Sequence, residues 1–86
     1  MANLWTGTIN TENQYQDLAT LTELTFDSGS VYTIQGLDGG AFFLREGEEG
    51  QGFYVEEKEK VQYTAGADDL YIKTIANGDR TINIAG

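Results

Sequence analysis

The chain of 86 residues contains no cysteine, no histidine and no proline. Without cysteine, no disulfide can add to the modest core that a chain of this size buries. Without histidine and cysteine, the most common general base, the strongest nucleophile and the usual ligands of zinc and copper are missing. The composition therefore argues against an enzyme, and we expect no catalytic residue, no metal and no cofactor.

Basic residues are also scarce, since 5 lysines and arginines stand against 14 acidic residues and give a net charge of −9. Such a charge repels phosphate backbones and anionic lipid surfaces, which argues against binding to nucleic acid or membranes. No apolar run approaches the ~18 residues of a membrane-spanning helix. Residues 1–5 lack the basic and apolar segments of a secretory signal, so we expect neither a transmembrane segment nor a leader.

Short segments rich in β-branched and aromatic residues recur along the chain, and glycine-containing turns separate them. Strands are predicted at residues 4–9, 31–35, 41–46, 53–57 and 60–64, and in two runs within 69–85. This pattern predicts a single β domain over residues 1–86. The fold class is all-β: a small antiparallel β-sandwich or barrel, jelly-roll-like, with about seven or eight short strands. Size scaling predicts a radius of gyration of about 12 Å.

The two C-terminal runs flank Asn77 and Gly78, a dipeptide typical of a β-hairpin. A two-residue loop would mix apolar and polar residues on both faces of that hairpin. A three-residue loop of Ala76, Asn77 and a left-handed Gly78 would place Leu70 opposite Ile84 and keep the faces distinct. We therefore predict a hairpin with the longer loop.

Residues 15–26 are ambiguous. Leu18, Leu21 and Leu24 lie at helical spacing, but alternate residues from Leu18 to Phe26 also form a strand pattern. Threonines lower the helix propensity of the segment. We favour a strand, broken near residues 19–21, over a short helix.

Acidic residues offer the one remaining route to catalysis. Carboxyl groups about 5–10 Å apart on neighbouring strands could act as a glycosidase pair, and carboxylates in turns could bind calcium. The candidate positions are Glu46, Glu48, Glu49, Glu56 and Glu57 for the former, and Asp38, Asp68 and Asp69 for the latter. Surface acids are rarely catalytic and no calcium-loop motif is present, so we interpret these residues as a solvated acidic surface.

Aromatic residues are the better candidates for a working surface. Alternation places Tyr71 on the face opposite Leu70 and Ile72, and Tyr54 on the face opposite Phe53 and Val55. An outward row of Tyr54 and Tyr71 with Ile75 beside it would be an exposed apolar strip. The interface candidates are therefore Tyr54, Tyr71, Ile75 and Trp5, because tyrosine and tryptophan are favoured anchors of protein interfaces. These aromatics could instead cover a second core layer, stand singly on the surface, or stack on sugar.

Residues 31–86 resemble small virion structural proteins of tailed bacteriophages, of the head-decoration, tail or fibre-base kind. The resemblance lies in five segments: Val31-Tyr-Thr-Ile-Gln35, Gly52-Phe53 after a glycine- and glutamate-rich loop, Gln62-Tyr-Thr-Ala-Gly66, Asp69-Leu-Tyr-Ile-Lys-Thr74 and the closing Thr81-Ile-Asn-Ile-Ala-Gly86. It implies a non-enzymatic β module that is made in the host cytoplasm and assembles in many copies on the virion, with itself and other virion proteins as partners. We expect the protein to self-associate through edges or faces of the β-sandwich, because open strand edges and outward aromatic residues suit symmetric assembly. The resemblance carries over no functional residues. The alternative is a small carbohydrate- or protein-binding β module.

Overall fold

A computed structural model describes residues 2–49, 51–75 and 78–86. This part of the chain forms eight strands and one short helix. In chain order they are β1 (Asn3–Ile9), β2 (Gln16–Asp17), α1 (Leu18–Thr22), β3 (Val31–Asp38), β4 (Phe42–Glu46), β5 (Phe53–Val55), β6 (Lys60–Thr64), β7 (Leu70–Thr74) and β8 (Arg80–Ala85).

The strands form two four-stranded antiparallel sheets, so the all-β prediction is confirmed. Sheet A has the order β1-β8-β3-β6, and sheet B has the order β2-β7-β4-β5. The first strand pairs with the last, the second with the seventh, the third with the sixth and the fourth with the fifth. This nested pairing, with β3 also on β8 and β4 also on β7, is the topology of a jelly roll. The Cα radius of gyration is 11.6 Å, as size scaling predicts.

The core lies between the two sheets. Alternate residues along each strand turn inward and are buried, as the strand period of two requires. Sheet A contributes Tyr32, Ile34, Tyr63, Ile82 and Ile84, and sheet B contributes Phe42, Leu44, Val55, Leu70 and Ile72. Beneath the loop that precedes β3, Phe26 packs edge-on against Tyr32 with ring centroids 4.9 Å apart.

The predicted hairpin between the two C-terminal runs is wrong. β7 lies in sheet B between β2 and β4, whereas β8 lies in sheet A between β1 and β3. Ile72 and Ile82 are both fully buried, but on opposite walls of the sandwich instead of on one sheet face. The alternating pattern is the same in either arrangement, so it could not distinguish them. Ala76 and Asn77 lie outside the described residues.

The strand favoured for residues 15–26 is also wrong for most of that segment. Only Gln16–Asp17 is a strand, and Leu18–Thr22 is a helix. The Asp17 side chain caps the helix by accepting a hydrogen bond of 2.9 Å from the backbone amide of Ala19. Glu23 ends it in the left-handed conformation. One turn is too short to be stable alone, and burial of Leu18 in the core holds it in place.

Arg80 joins two of the connections that cross between the sheets at one end of the sandwich, β3–β4 and β7–β8. Its side chain is only 7% exposed. The guanidinium donates to the carbonyl oxygens of Ala41 (2.8 Å), Ile75 (2.6 Å) and Asp79 (3.1 Å). The β3–β4 connection can approach the backbone before β8 closely because Gly39 has no side chain. A Cβ at this position would collide with the carbonyl oxygen of Asp79. One cation thus fixes both crossovers.

A second polar link lies at the same end. Thr11 and Thr74 are fully buried, and each hydroxyl accepts a hydrogen bond from the other residue's backbone amide, at 2.9 and 2.7 Å. This reciprocal pair attaches the loop after β1 to β7. It satisfies two amides that would otherwise be buried without partners.

We expect Arg80→Met to destabilise the fold by about 3 kcal/mol, because it leaves three carbonyls of the crossovers without their charged donor. For a domain of this size, that loss lowers Tm by more than about 10 °C. Thermal and urea unfolding measure it, and Lys60→Met on an exposed strand position is the matched control, expected within about 0.5 kcal/mol of wild type. An Arg80→Met protein as stable as the control would contradict the role given to this side chain.

Candidate functional site

The outer face of sheet B gathers aromatic and basic side chains. In β7 the buried residues are Leu70, Ile72 and Thr74, so Tyr71 and Lys73 turn outward. In β4 the buried residues are Phe42 and Leu44, so Phe43 and Arg45 turn outward. Strand register places Phe43 beside Lys73 and beside Tyr54 of β5, and places Arg45 beside Tyr71. Between β4 and β7, each outward ring therefore lies beside a cation, whereas Phe43 and Tyr54 pair ring with ring.

These side chains, with Tyr15, form one continuous series of contacts, which we call the aromatic–cation row. The Arg45 guanidinium carbon lies 4.1 Å from the Tyr15 ring centroid and 5.5 Å from that of Tyr71. The Lys73 ammonium lies 5.0 Å from the ring centroids of both Tyr15 and Phe43. Phe43 packs edge-on against Tyr54 with centroids 5.4 Å apart. These contacts connect the six side chains one after another, in the order Tyr54, Phe43, Lys73, Tyr15, Arg45, Tyr71.

Tyr15 occupies the centre of the row although it precedes β2. Its ring crosses the sheet, and its hydroxyl reaches the backbone at Gly52 in the β4–β5 connection. A Cβ at Gly52 would collide with that hydroxyl, so the absence of a side chain there makes room for the ring. The Arg45 guanidinium and the Lys73 ammonium both lie over the Tyr15 ring.

The structure brings two of the four sequence-derived interface candidates, Tyr54 and Tyr71, into the row. Tyr54 is 51% exposed, Tyr71 is half-buried within the row, and Ile75 is half-buried directly after β7. Trp5 lies elsewhere. It is in β1 of sheet A, where its ring covers Gly7 and packs against the core. Whether these residues form an interface stays a prediction.

Four members of the row were not among the sequence-derived candidates: Tyr15, Phe43, Arg45 and Lys73. The outward positions of Phe43 and Arg45 could be read from the sequence, because these residues alternate with buried residues in β4. Tyr71 and Lys73 alternate with buried residues in β7 in the same way. What the sequence lacks is the pairing of β4 with β7, which brings the two alternations into register.

The outer face of sheet A has a different chemistry. Its outward positions carry mostly threonine, asparagine and glutamine, including Thr6, Thr8, Thr81 and Asn83, and β3 adds the exposed aliphatic side chains of Val31 and Leu37. The Asn83 amide donates to the Thr6 hydroxyl at 2.8 Å, and the hydroxyls of Thr8 and Thr81 lie 3.2 Å apart. The two faces of the sandwich are therefore distinct: one is polar and mostly uncharged, and the other is aromatic and cationic.

Acidic residues border the Tyr71 end of the row. Partial burial raises the pKa of Tyr71 above its ordinary value of 10.0, and the nearby carboxylates of Glu48, Asp69 and Asp17 raise it further, while Arg45 acts in the opposite direction. Tyr63 of β6, in sheet A, also has a raised pKa. Burial is the largest cause, and the carboxylate of Glu46 is the next. The surface thus changes from basic at the centre of the row to acidic at its rim.

Within the described ranges, the protein has no enclosed pocket and no grouping of three or more acidic side chains placed to hold a metal ion. None of the described helices is long and apolar enough to cross a membrane. The candidate site is therefore an open surface. Comparison with family models, with curated proteins and with solved structures finds no match for this chain.

The contact between Arg45 and Tyr15 should contribute measurably to stability. We expect a double-mutant cycle with Arg45→Met and Tyr15→Leu to give a coupling energy of about 0.5–2 kcal/mol, the range of cation–π pairs. Urea unfolding of the four proteins measures it. The same cycle with Arg45→Met and Tyr54→Leu is the control, expected to be additive within about 0.5 kcal/mol. Equal coupling in both cycles would contradict the geometry of the row.

The raised pKa of Tyr71 predicts how stability changes at high pH. The folded protein holds the Tyr71 proton more tightly than the unfolded chain does, so this contribution is fully present below about pH 10 and is lost as the pH rises through the folded pKa. We expect Tyr71→Phe to flatten the decline in unfolding midpoint above about pH 10. In a titration followed by tyrosinate absorbance, Tyr71→Phe should remove a tyrosine that ionises above the ordinary pKa of 10.0. If the variant instead loses a tyrosine that ionises at the ordinary pKa, the raised pKa of Tyr71 is contradicted.

Proposed function

We propose that this chain is a non-enzymatic structural protein of a bacteriophage particle. In this proposal it associates with further copies of itself and with other virion proteins through the outer face of sheet B. The single observation that carries the proposal is the aromatic–cation row, which ends in the exposed ring of Tyr54. Aromatic residues and arginine are the residue types most enriched at protein interfaces and among their energetic anchors.

The fold and the sequence support this proposal from two further sides. The jelly roll occurs in viral capsid domains and in lectins, although a fold alone does not decide a function. Residues 31–86 resemble virion structural proteins, as described above, and the chain carries neither histidine nor cysteine for catalysis. A particle protein made in the host cytoplasm and incorporated into the virion fits these observations.

Charge gives the row a preference among partners. Arg45 and Lys73 are two of only five basic residues in a chain of net charge −9. A third, Arg80, is buried and donates to backbone carbonyls. A second copy of the chain is itself a strongly acidic partner, and its carboxylates would be attracted to these two cations. Such an interaction weakens as salt screens it.

A sugar-binding module is the second candidate, because the exposed Tyr54 ring could stack on a pyranose. In the sequence-derived form of this hypothesis, Trp5 acts together with the tyrosines. The structure separates them, since Trp5 packs on the core from sheet A. The Tyr15 ring is, in addition, in contact with Arg45 and Lys73. These contacts favour assembly over sugar stacking.

The test is the solution mass of wild type and of the Tyr54→Ser/Tyr71→Ser variant, by light scattering after size exclusion over a wide concentration range. We expect wild type to form oligomers and the variant to require at least about tenfold higher concentration, because both aromatic anchors are lost. The control is Val31→Ser, which removes an apolar side chain that is 47% exposed on sheet A.

Three results would contradict the proposal: a wild-type protein that stays monomeric with and without its particle partners, a variant mass equal to wild type, or an equal effect of the control. Binding of oligosaccharides detected by tyrosine fluorescence, without oligomers, would favour the second candidate.

A further inference from the structure

β1 forms an open edge of sheet A. In the sheet order, one side of β1 pairs with β8 and its other side pairs with no described strand. All seven residues of this strand, Asn3 to Ile9, are uncharged, and none is proline. Leu4 is 42% exposed beside this edge. Edge strands of soluble proteins are normally blocked by charge, proline or short length, because an open edge pairs with other strands.

The remaining three edges carry such protection. β2 has two residues and leads directly into a helix. β5 has three residues and is followed by Glu56 and Glu57. β6 begins with Lys60 and is preceded by Glu59. β1 is the longest of the four edges and the only one of them without a charge in or directly beside it.

We propose that β1 pairs antiparallel with β1 of a second copy of this chain, so that sheet A continues across a twofold axis. A partner with the same strand is favoured because this uncharged edge lets two copies, each of net charge −9, meet without opposing like charges. Antiparallel pairing of identical strands is also self-complementary, as a twofold interface requires.

The register follows from the sequence of the strand. A bulge separates Asn3 from Trp5, and regular pairing with β8 runs from Trp5 to Ile9. Gly7 is the midpoint of that regular segment. A twofold axis at Gly7 places Thr6 opposite the second copy's Thr8 on the outer face, and Trp5 opposite its Ile9 on the core face. Threonine pairs and aromatic–β-branched pairs are both favourable across strands.

This proposal concerns a different surface from the aromatic–cation row and does not rest on it. Substitutions at Thr6 and Thr8 test it, since both side chains turn away from the core. Thr6→Lys/Thr8→Lys places lysines opposite lysines across the axis. Thr6→Lys/Thr8→Glu removes the same hydroxyls but places each lysine opposite a glutamate. The control is Thr64→Lys, an exposed outward position on β6, the opposite edge of sheet A.

The measurement is the mass by light scattering over a wide concentration range, with circular dichroism to verify folding and the fluorescence of Trp5, the single tryptophan, as a second readout. Wild type and Thr64→Lys are expected to dimerise with a concentration-dependent change in Trp5 emission. In the double-lysine variant, the protein concentration at which half of the chains are dimeric should rise at least about tenfold, because opposed like charges are strongly unfavourable. The lysine–glutamate variant should restore dimers.

The proposal is overturned if wild type shows no dimer, if the double-lysine variant dimerises as wild type does, or if the lysine–glutamate variant folds yet stays monomeric, which would exclude the register at Gly7. Loss of oligomers in Tyr54→Ser/Tyr71→Ser but not in the double-lysine variant would leave the face of sheet B as the interface and exclude the β1 edge.

Discussion

Arg80 holds together two of the connections that cross between the sheets at one end of the sandwich. Its guanidinium binds carbonyls on the β3–β4 connection and on the segment that leads from β7 into β8. Because both connections cross from one sheet to the other, their joint position sets how the sheets face each other. The inward alternation of both sheets then closes over the same core, and the outward alternation is fixed at the same time. The surface chemistry of each sheet is therefore a consequence of where the crossovers are held.

The fixed outward positions give the two faces opposite characters. The outer face of sheet A presents threonine and amide side chains that form hydrogen bonds with one another across strands. On the outer face of sheet B, β4 and β7 pair rings with cations, Phe43 also packs against Tyr54 of β5, and Tyr15 contacts both cations. Neighbouring rings and cations satisfy each other, which lets a strongly acidic protein present an aromatic surface without leaving its apolar area bare. The same contacts keep the rings in defined positions, and a surface that is ordered before binding loses less entropy when it binds.

The sequence predicts the strand segments and their faces well, because burial imposes a period of two on every strand. Leu70 and Tyr71, and Val55 and Tyr54, indeed lie on opposite faces. Long-range pairing is not encoded in that period. The Asn77–Gly78 dipeptide therefore indicated a hairpin where the chain changes sheets, and the row across β4, β7 and Tyr15 could not be assembled from local pattern. The short helix was missed because tertiary burial of Leu18 outweighs the low helix propensity of its threonines. Arg80 gave no signal, since an isolated arginine among polar residues is usually exposed.

We propose that this protein associates through the outer face of sheet B. The most direct measurement is nuclear magnetic resonance of wild type from about 1 µM to about 1 mM, which spans association from tight to weak. The account predicts concentration-dependent shifts that include the ring signals of Phe43, Tyr54 and Tyr71. Ring signals that do not change at any concentration, or changes centred on Thr33, Thr81 and Asn83 of sheet A, would contradict it.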